Sequence, residues 1–166
     1  MSDSPQTAAP SASHAPPGEW EHWRDRWQVA IQGARDGIWD WDLRTNAVFF
    51  SPQWKRICGY EDHELPNELD TWTQLMHPDD LPNTLAQVQA AIAGELAVYE
   101  PEFRMRHKDG SFRWVVARGM VLRDEHGTPV RMAGSHSDIT ERIRVIAELR
   151  AEREFMRTVI DTDPNL

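Results

Sequence analysis

The 166-residue sequence predicts an α+β domain in which one five-stranded antiparallel sheet carries helices over one face, with an amphipathic helix before it and another after it. Three observations carry this. Apolar and polar side chains alternate in two short early segments and three later ones, the two-residue repeat of half-buried strands. Between these groups the apolar spacing changes to three and four, the repeat of helices. The late strands are joined by tight turns and the crossover is helical, so one antiparallel sheet with helices on one side is the economical arrangement.

Taken in order, residues 1–18 are rich in Ala, Pro and Ser with no large apolar side chain after Met1, the composition of a disordered leader. From 19 to 36, Trp20, Trp23, Trp27, Ala30, Ile31 and Ala34 recur on one helical face. That tryptophan stripe either covers a sheet or forms a dimer seam. Trp39, Trp41 and Leu43 then alternate with Asp40 and Asp42, Arg44-Thr45-Asn46 turns, and Val48-Phe49-Phe50 completes a hairpin. Ser51-Pro52 is a helix opening, with Ser as cap and Pro at the first helical position, and Gly59 closes that short helix. Tyr60 to Met76 is broken by acids and Pro66, leaving room for one or two brief helical turns. His77-Pro78-Asp79-Asp80 opens a longer helix with Leu81, Leu85, Val88, Ala91 and Ile92 on one side, ended by Gly94. Strands follow over Tyr99–His107, Phe112–Leu122 and Val130–Ser137, with turns at Lys108-Asp109-Gly110 and His126-Gly127. From 139 to 166, Ile139, Ile146, Arg153 and Ile160 recur every seven residues with Arg142, Leu149 and Met156 between them, the pattern of a helix that pairs with another. Two arginines in the seam make the heptads imperfect, and a frame through Val145, Leu149, Met156 and Val159 competes. Thr140 is placed to cap this helix.

Composition excludes several functions. No uninterrupted apolar run exceeds four residues, far below the roughly 20 that span a bilayer, and no basic-then-apolar N-terminal signal is present. A cytoplasmic protein is expected. Lys+Arg number 18 against 27 Asp+Glu, a formal charge of -9, and the basic residues lie among acids, so nucleic acid is not an expected partner. Cys58 alone supports neither a disulfide nor a thiolate zinc site. There is no phosphate loop, nucleophile elbow or zinc-binding helix, so catalysis by this chain is not expected.

Several strings together, from about Trp27 to Arg150, resemble the PAS sensor family in the subgroup with a C-terminal PAC motif. They are Gly37-Ile38-Trp39-Asp40-Trp41-Asp42-Leu43, Ser51-Pro52-Gln53-Trp54, Gly59-Tyr60, His77-Pro78-Asp79-Asp80, His107-Lys108-Asp109-Gly110-Ser111 with Trp114, and Gly134-Ser135-His136-Ser137-Asp138-Ile139-Thr140-Glu141-Arg142. The resemblance implies a sensory domain over 37–138, with a small pocket under the helices, and a signalling helix over 139–166 that leads toward a further domain. It also implies an N-terminal fragment of a multidomain signalling protein, a sensor histidine kinase or a cyclase or phosphodiesterase of cyclic dinucleotides, acting as a homodimer.

Candidate ligand-binding residues are Trp39, Trp41, Trp54, Val115, Ala117 and His136. Trp39 and Trp41 face the helices by parity and either stack on a ligand or fill the core. Val115, Ala117 and Gly119 share a strand face whose small side chains leave space. His136 resembles, by position, the polar residue that flavin-binding relatives aim at their cofactor; the alternative is a histidine bonded within the sheet. Asp138, Thr140 and Arg142 form the expected relay, the resemblance implying a contact between the acidic and basic residues that couples sheet to helix. Trp20, Trp23, Trp27, Ile146, Leu149 and Met156 are the expected dimer contacts. The ligand is not identified by the sequence. The segment after Glu61–Leu65 lacks the adduct cysteine of photoactive flavin relatives, and Asn83–Ala93 lacks an axial histidine for haem, which leaves non-covalent flavin as the cofactor candidate beside a small organic ligand or no ligand.

Overall fold

The computed structural model describes Gly33, residues 35–96 and residues 98–162. The expected leader and nearly all of the expected first helix, including Trp20, Trp23 and Trp27, lie outside the described residues. The elements are β1 (Gly37–Asp42), β2 (Val48–Phe50), α1 (Pro52–Ile57), a 3-10 turn (Asp62–Glu64), α2 (Leu69–Leu75), α3 (Leu81–Ala93), β3 (Glu102–Arg106), β4 (Phe112–Arg123), β5 (Pro129–Asp138) and α4 (Thr140–Thr162). The strands form one antiparallel sheet in the order β2-β1-β5-β4-β3, so the early hairpin pairs with the last strand.

Local chemistry accounts for the boundaries. Ser51 caps α1 as expected: its hydroxyl accepts the Trp54 N–H at 3.2 Å and Pro52 occupies the first turn. Gly94 ends α3 in the left-handed region at φ 85°, where a side chain would be strained. Alternation along β3 buries Phe103 and Met105 while Arg104 and Arg106 face the other way. The core is the layer between sheet and helices, where Trp39, Phe50, Phe103, Val115, Ala117 and Met132 meet Trp54, Ile57, Trp72, Leu75, Val88 and Ala91.

The helix expected to open at His77 begins four residues later, because His77–Asp80 is bound to β3 instead. The His77 N–H donates to the Arg104 carbonyl at 2.8 Å. Asp80 occupies the cap position, yet its carboxylate makes no capping bond to the helix. Its Oδ2 accepts the Arg104 N–H (2.8 Å) and Nε–H (2.9 Å), and its Oδ1 accepts Nη2–H (2.7 Å). The acidic motif therefore latches the start of α3 to β3. The side-chain bond from Arg104, the largest cause, holds the Asp80 carboxyl below its ordinary 3.8.

Asp80→Asn should lower stability by about 1–2 kcal/mol at pH 7, the scale of a charge-assisted hydrogen bond. The folded-state value lies below the unfolded one, so this stabilisation is present above pH 3.8 and is lost as pH falls through the folded value. Urea unfolding of wild type and variant should show a gap at pH 7 that narrows below pH 3.8.

Candidate functional site

The site is built on a cross-strand row. Trp39 on β1 pairs with Phe50 on β2 and with Gly134 on β5, Gly134 pairs with Gly119 on β4, and Tyr99 bridges to Gly119. The two adjacent glycines leave a trough, and the Trp39 indole lies in it. A Cβ on Gly119 would sit 2.7 Å from its Cη2 and Cζ2, and one on Gly134 would sit 2.7 Å from Cζ2. The indole meets Tyr99 edge-on, with centroids 6.3 Å apart at 83°. The small-residue face of β4 is thus filled and does not supply the space that the sequence suggested. Over Gly119 the room is taken by Trp39, and Val115 and Ala117 are fully buried in the core.

His136 sits one pair along the same face, opposite Gly37 and Ala117. Its ring contacts Trp39, Trp54 and Phe103 at centroid distances of 5.9, 5.8 and 5.4 Å. Trp54 Nε1–H donates to His136 Nδ1 at 2.7 Å, and Phe50 stacks on the Trp54 indole with centroids 3.9 Å apart. A ring nitrogen that accepts is unprotonated, so the imidazole is the neutral tautomer with its hydrogen on Nε2. Burial in this aromatic surrounding pushes its pKa down to about 3.

A cavity of about 40 Å³ remains between the sheet and the helices, bordered by Trp39, Trp41, Phe50, Trp72, Tyr99 and His136 with aliphatic neighbours such as Val88 and Met132. The structure therefore brings Trp39, Trp41 and His136 together at this cavity. Trp54 stands behind His136, and Val115 and Ala117 are not in the wall. Trp72 and Tyr99 were not singled out by sequence. The first lies in a stretch whose period is broken by acids and Pro66, and the second precedes its strand proper. Trp41 Nε1–H is satisfied by Asn46 Oδ1 at 2.9 Å. The indole N–H groups of Trp39 and Trp72 are buried without a partner, each at a cost of about 1–3 kcal/mol.

The fit of larger cofactors follows from these dimensions. Sites for drug-sized or larger ligands occupy about 300 Å³ or more, whereas this cavity offers about 40 Å³ with an indole across its floor. Flavin and haem do not fit the residues as packed. Cys58 is outside the cavity wall, and burial drives its thiol up to about 12, so it is an inert apolar residue. Among the described residues no cluster of His, Cys, Asp and Glu is arranged to hold a metal ion.

Two residues beyond His136, β5 passes into α4. Asp138 Oδ1 accepts the Thr140 N–H at 2.9 Å, and the Thr140 hydroxyl accepts the Trp114 N–H at 2.9 Å. The Ile139 N–H donates to the Trp114 carbonyl, also at 2.9 Å. Thr140 thus turns its hydroxyl to the sheet and does not cap the helix. Asp138 fills the capping role. The implied contact between Asp138 and Arg142 is not formed: Arg142 is exposed and its side chain has no partner among the described residues, while the neighbouring Glu141 pairs with Arg144 at 2.7 Å. Upstream, the Ser137 hydroxyl donates to Asp36 Oδ1 at 2.6 Å.

The depressed pKa of His136 has a measurable consequence. In the unfolded chain the imidazole takes up a proton as pH falls below 6.5, whereas the folded protein resists protonation down to about pH 3, so stability declines across that window. At pH 5 this amounts to about 2 kcal/mol. His136→Gln, which keeps an acceptor for Trp54, should lose less stability than wild type between pH 7.5 and pH 5 in urea titrations. Equal losses would refute the buried neutral imidazole.

Residues 47–136 match the family model described as the PAS fold. The crystal structure of a sensory box histidine kinase/response regulator from Burkholderia thailandensis is 43% identical, covers 80% of this chain and 98% of that one, and superposes with a TM-score of 0.68. The sensor protein FixL of Bradyrhizobium diazoefficiens is 28% identical over 95% of this chain, which spans 30% of that protein. The probable diguanylate cyclase DgcE of Escherichia coli is 33% identical over 68% of this chain and 9% of its own length. The chain thus spans less than a third of these curated relatives. By its sheet order, its sequence match over 47–136 and its superposition on a sensory box structure, the chain belongs to the PAS fold family.

Proposed function

We propose that this domain senses a small molecule at the cavity beneath its helices and relays occupancy through β5 to α4, which pairs with the same helix of a second copy and governs an output domain. The observation that carries the reading is the continuity of His136 with Asp138 and Thr140. The residue at the centre of the aromatic cluster is two positions from the carboxylate that holds the first turn of α4. A strand is nearly inextensible over two residues, so a ligand that displaces Trp39 or His136 moves the root of the helix. That root hangs from both β4 and β5, by the Trp114 bonds and the Val115–Asp138 pair, and it re-aims when the two strands slide.

The helix itself supports pairing. Leu149 and Met156 are 54% and 56% exposed, and with Val145 they lie four and seven residues apart along one face. Apolar side chains at that spacing are the seam of a two-stranded coiled coil. Ile146 is half-buried. The output is proposed from the relatives' names, a sensor histidine kinase or an enzyme of cyclic dinucleotide metabolism. The role is regulatory, and among the described residues no helix is long and apolar enough to cross a membrane.

The decisive experiment is a mass spectrum of small molecules released from the pure, denatured protein, run alongside the His136→Ala variant. Release of a molecule by wild type that the variant binds at least tenfold more weakly supports the reading. A ligand-free protein with unchanged output in the variant favours a purely structural dimer module. In the same preparation, Leu149→Glu with Met156→Glu should convert dimer to monomer by sedimentation without lowering the unfolding midpoint by more than a few degrees. Asp138→Ala in the full-length protein should leave the dimer intact and uncouple output from ligand.

A further inference from the structure

The cavity wall offers a ligand apolar surface and little else. Phe50 and Met132 contribute from the sheet, Trp72 and Val88 from the helices. The Trp39 and Trp72 N–H groups have almost no accessible surface, so neither is presented to the space, and the Trp41 N–H is held by Asn46. Tyr99 and His136 carry the remaining polar side-chain atoms of the wall. One histidine nitrogen is occupied by Trp54, and burial keeps the Tyr99 hydroxyl protonated. Among the described residues no carboxylate, ammonium or guanidinium lines the space. Where the cavity nears solvent the chemistry is the same: its half-exposed wall residues are the cross-strand pair Trp41 and Val48 on the β1–β2 hairpin and Leu69 at the start of α2.

From this we infer that the cavity binds an uncharged apolar molecule of about three or four heavy atoms, a short hydrocarbon by chemical class, which enters past Trp41, Val48 and Leu69. The inference rests on the sensory reading above and gives its ligand a class. Volume sets the size: the cavity offers about 40 Å³, and a water-sized group takes roughly 10–15 Å³ on the same measure. Benzene occupies a dry cavity of about 150 Å³, so aromatic rings exceed this one. Water is a poor occupant. Each molecule of a buried cluster seeks about three hydrogen bonds, and the wall has polar atoms to offer only from Tyr99 and His136. An anion or a cation would lose its hydration with no opposite charge to replace it. An apolar molecule sacrifices no hydrogen bond on leaving water, and it gains dispersion contacts with aromatic and aliphatic surface on several sides. Trp39 and His136 both border the space, so such an occupant bears directly on the side chains from which the relay starts.

Isobutene, acetone and acetate share a planar heavy-atom frame and differ in polarity, so together they separate an apolar class from a neutral polar one and an anionic one. Methyl resonances of Val88 and Met132, both buried in the wall, report occupancy in a proton–carbon spectrum. Met120, 66% exposed on the opposite face of the sheet, is the internal control. Isobutene should shift Val88 and Met132 saturably, leave Met120 in place, and half-saturate at a concentration about tenfold or more below that of acetone, with no response to acetate. Val88→Leu, which places a further methylene in the wall, should weaken isobutene by about fivefold or more. Equal affinity for isobutene and acetone, or preference for acetate, would overturn the apolar class while leaving a ligand site and the sensory reading in place. Ordered waters that isobutene does not displace, or silence toward all three probes, would also overturn the class, and the released-molecule spectrum then judges the sensory reading independently. A Met120 shift equal to that of Met132, or unchanged affinity in a folded Val88→Leu protein, would overturn the location. The probe comparison is made on wild-type protein, so it stands even if the variant fails to fold.

Discussion

The hydrogen bond from Trp54 Nε1–H to His136 Nδ1 joins residues 82 apart and organises what surrounds it. It holds α1 against β5 at the centre of the sheet. It fixes the histidine as a neutral tautomer, which an apolar aromatic cluster tolerates and a charged ring would not. It also settles the polarity of the cavity, since the nitrogen that could have accepted from a ligand is already engaged. The Phe50 ring stacked on Trp54 and the Trp39 ring beside His136 then close around this pair, and the cavity is what remains between them and the helices.

Much of this arrangement was legible in the sequence, for physical reasons. The change of apolar period marked β1, β2 and the late strands, and it placed Trp39 and Trp41 on the helix side by parity alone. Ser51, Pro52 and Gly94 marked helix ends because their backbone preferences are local. The unread parts are all non-local. Gly119 presents a gap when its strand is read alone. Only the pairing of β4 with β5 and of β5 with β1 shows that an indole 80 positions upstream fills it. Asp80 looked like a helix-end acid until β3 supplied Arg104. Thr140 looked like a cap until β4 supplied the Trp114 N–H.

Burial was also harder to read for amphipathic side chains. Lys55 is 3% exposed, although its position on α1 gave no hint of this. Its Nζ donates to the carbonyls of Asp62 and Leu65 at 2.8 and 2.7 Å and pairs with the Asp62 carboxylate at 2.9 Å. The ammonium thus replaces its hydration shell with three oxygens and organises the loop before α2, a structural service at some distance from the cavity. Such a residue shows that the helical cover is tied together at its turns as well as by apolar contact.

The 23 residues of α4 extend the molecule well beyond the sheet. At 1.5 Å per residue the rod is about 34 Å long, so a tilt of about 5° at its root displaces its far end by about 3 Å. A movement of a few tenths of an ångström where Thr140 meets Trp114 would therefore arrive at the tip enlarged several-fold, with no chemical step in between.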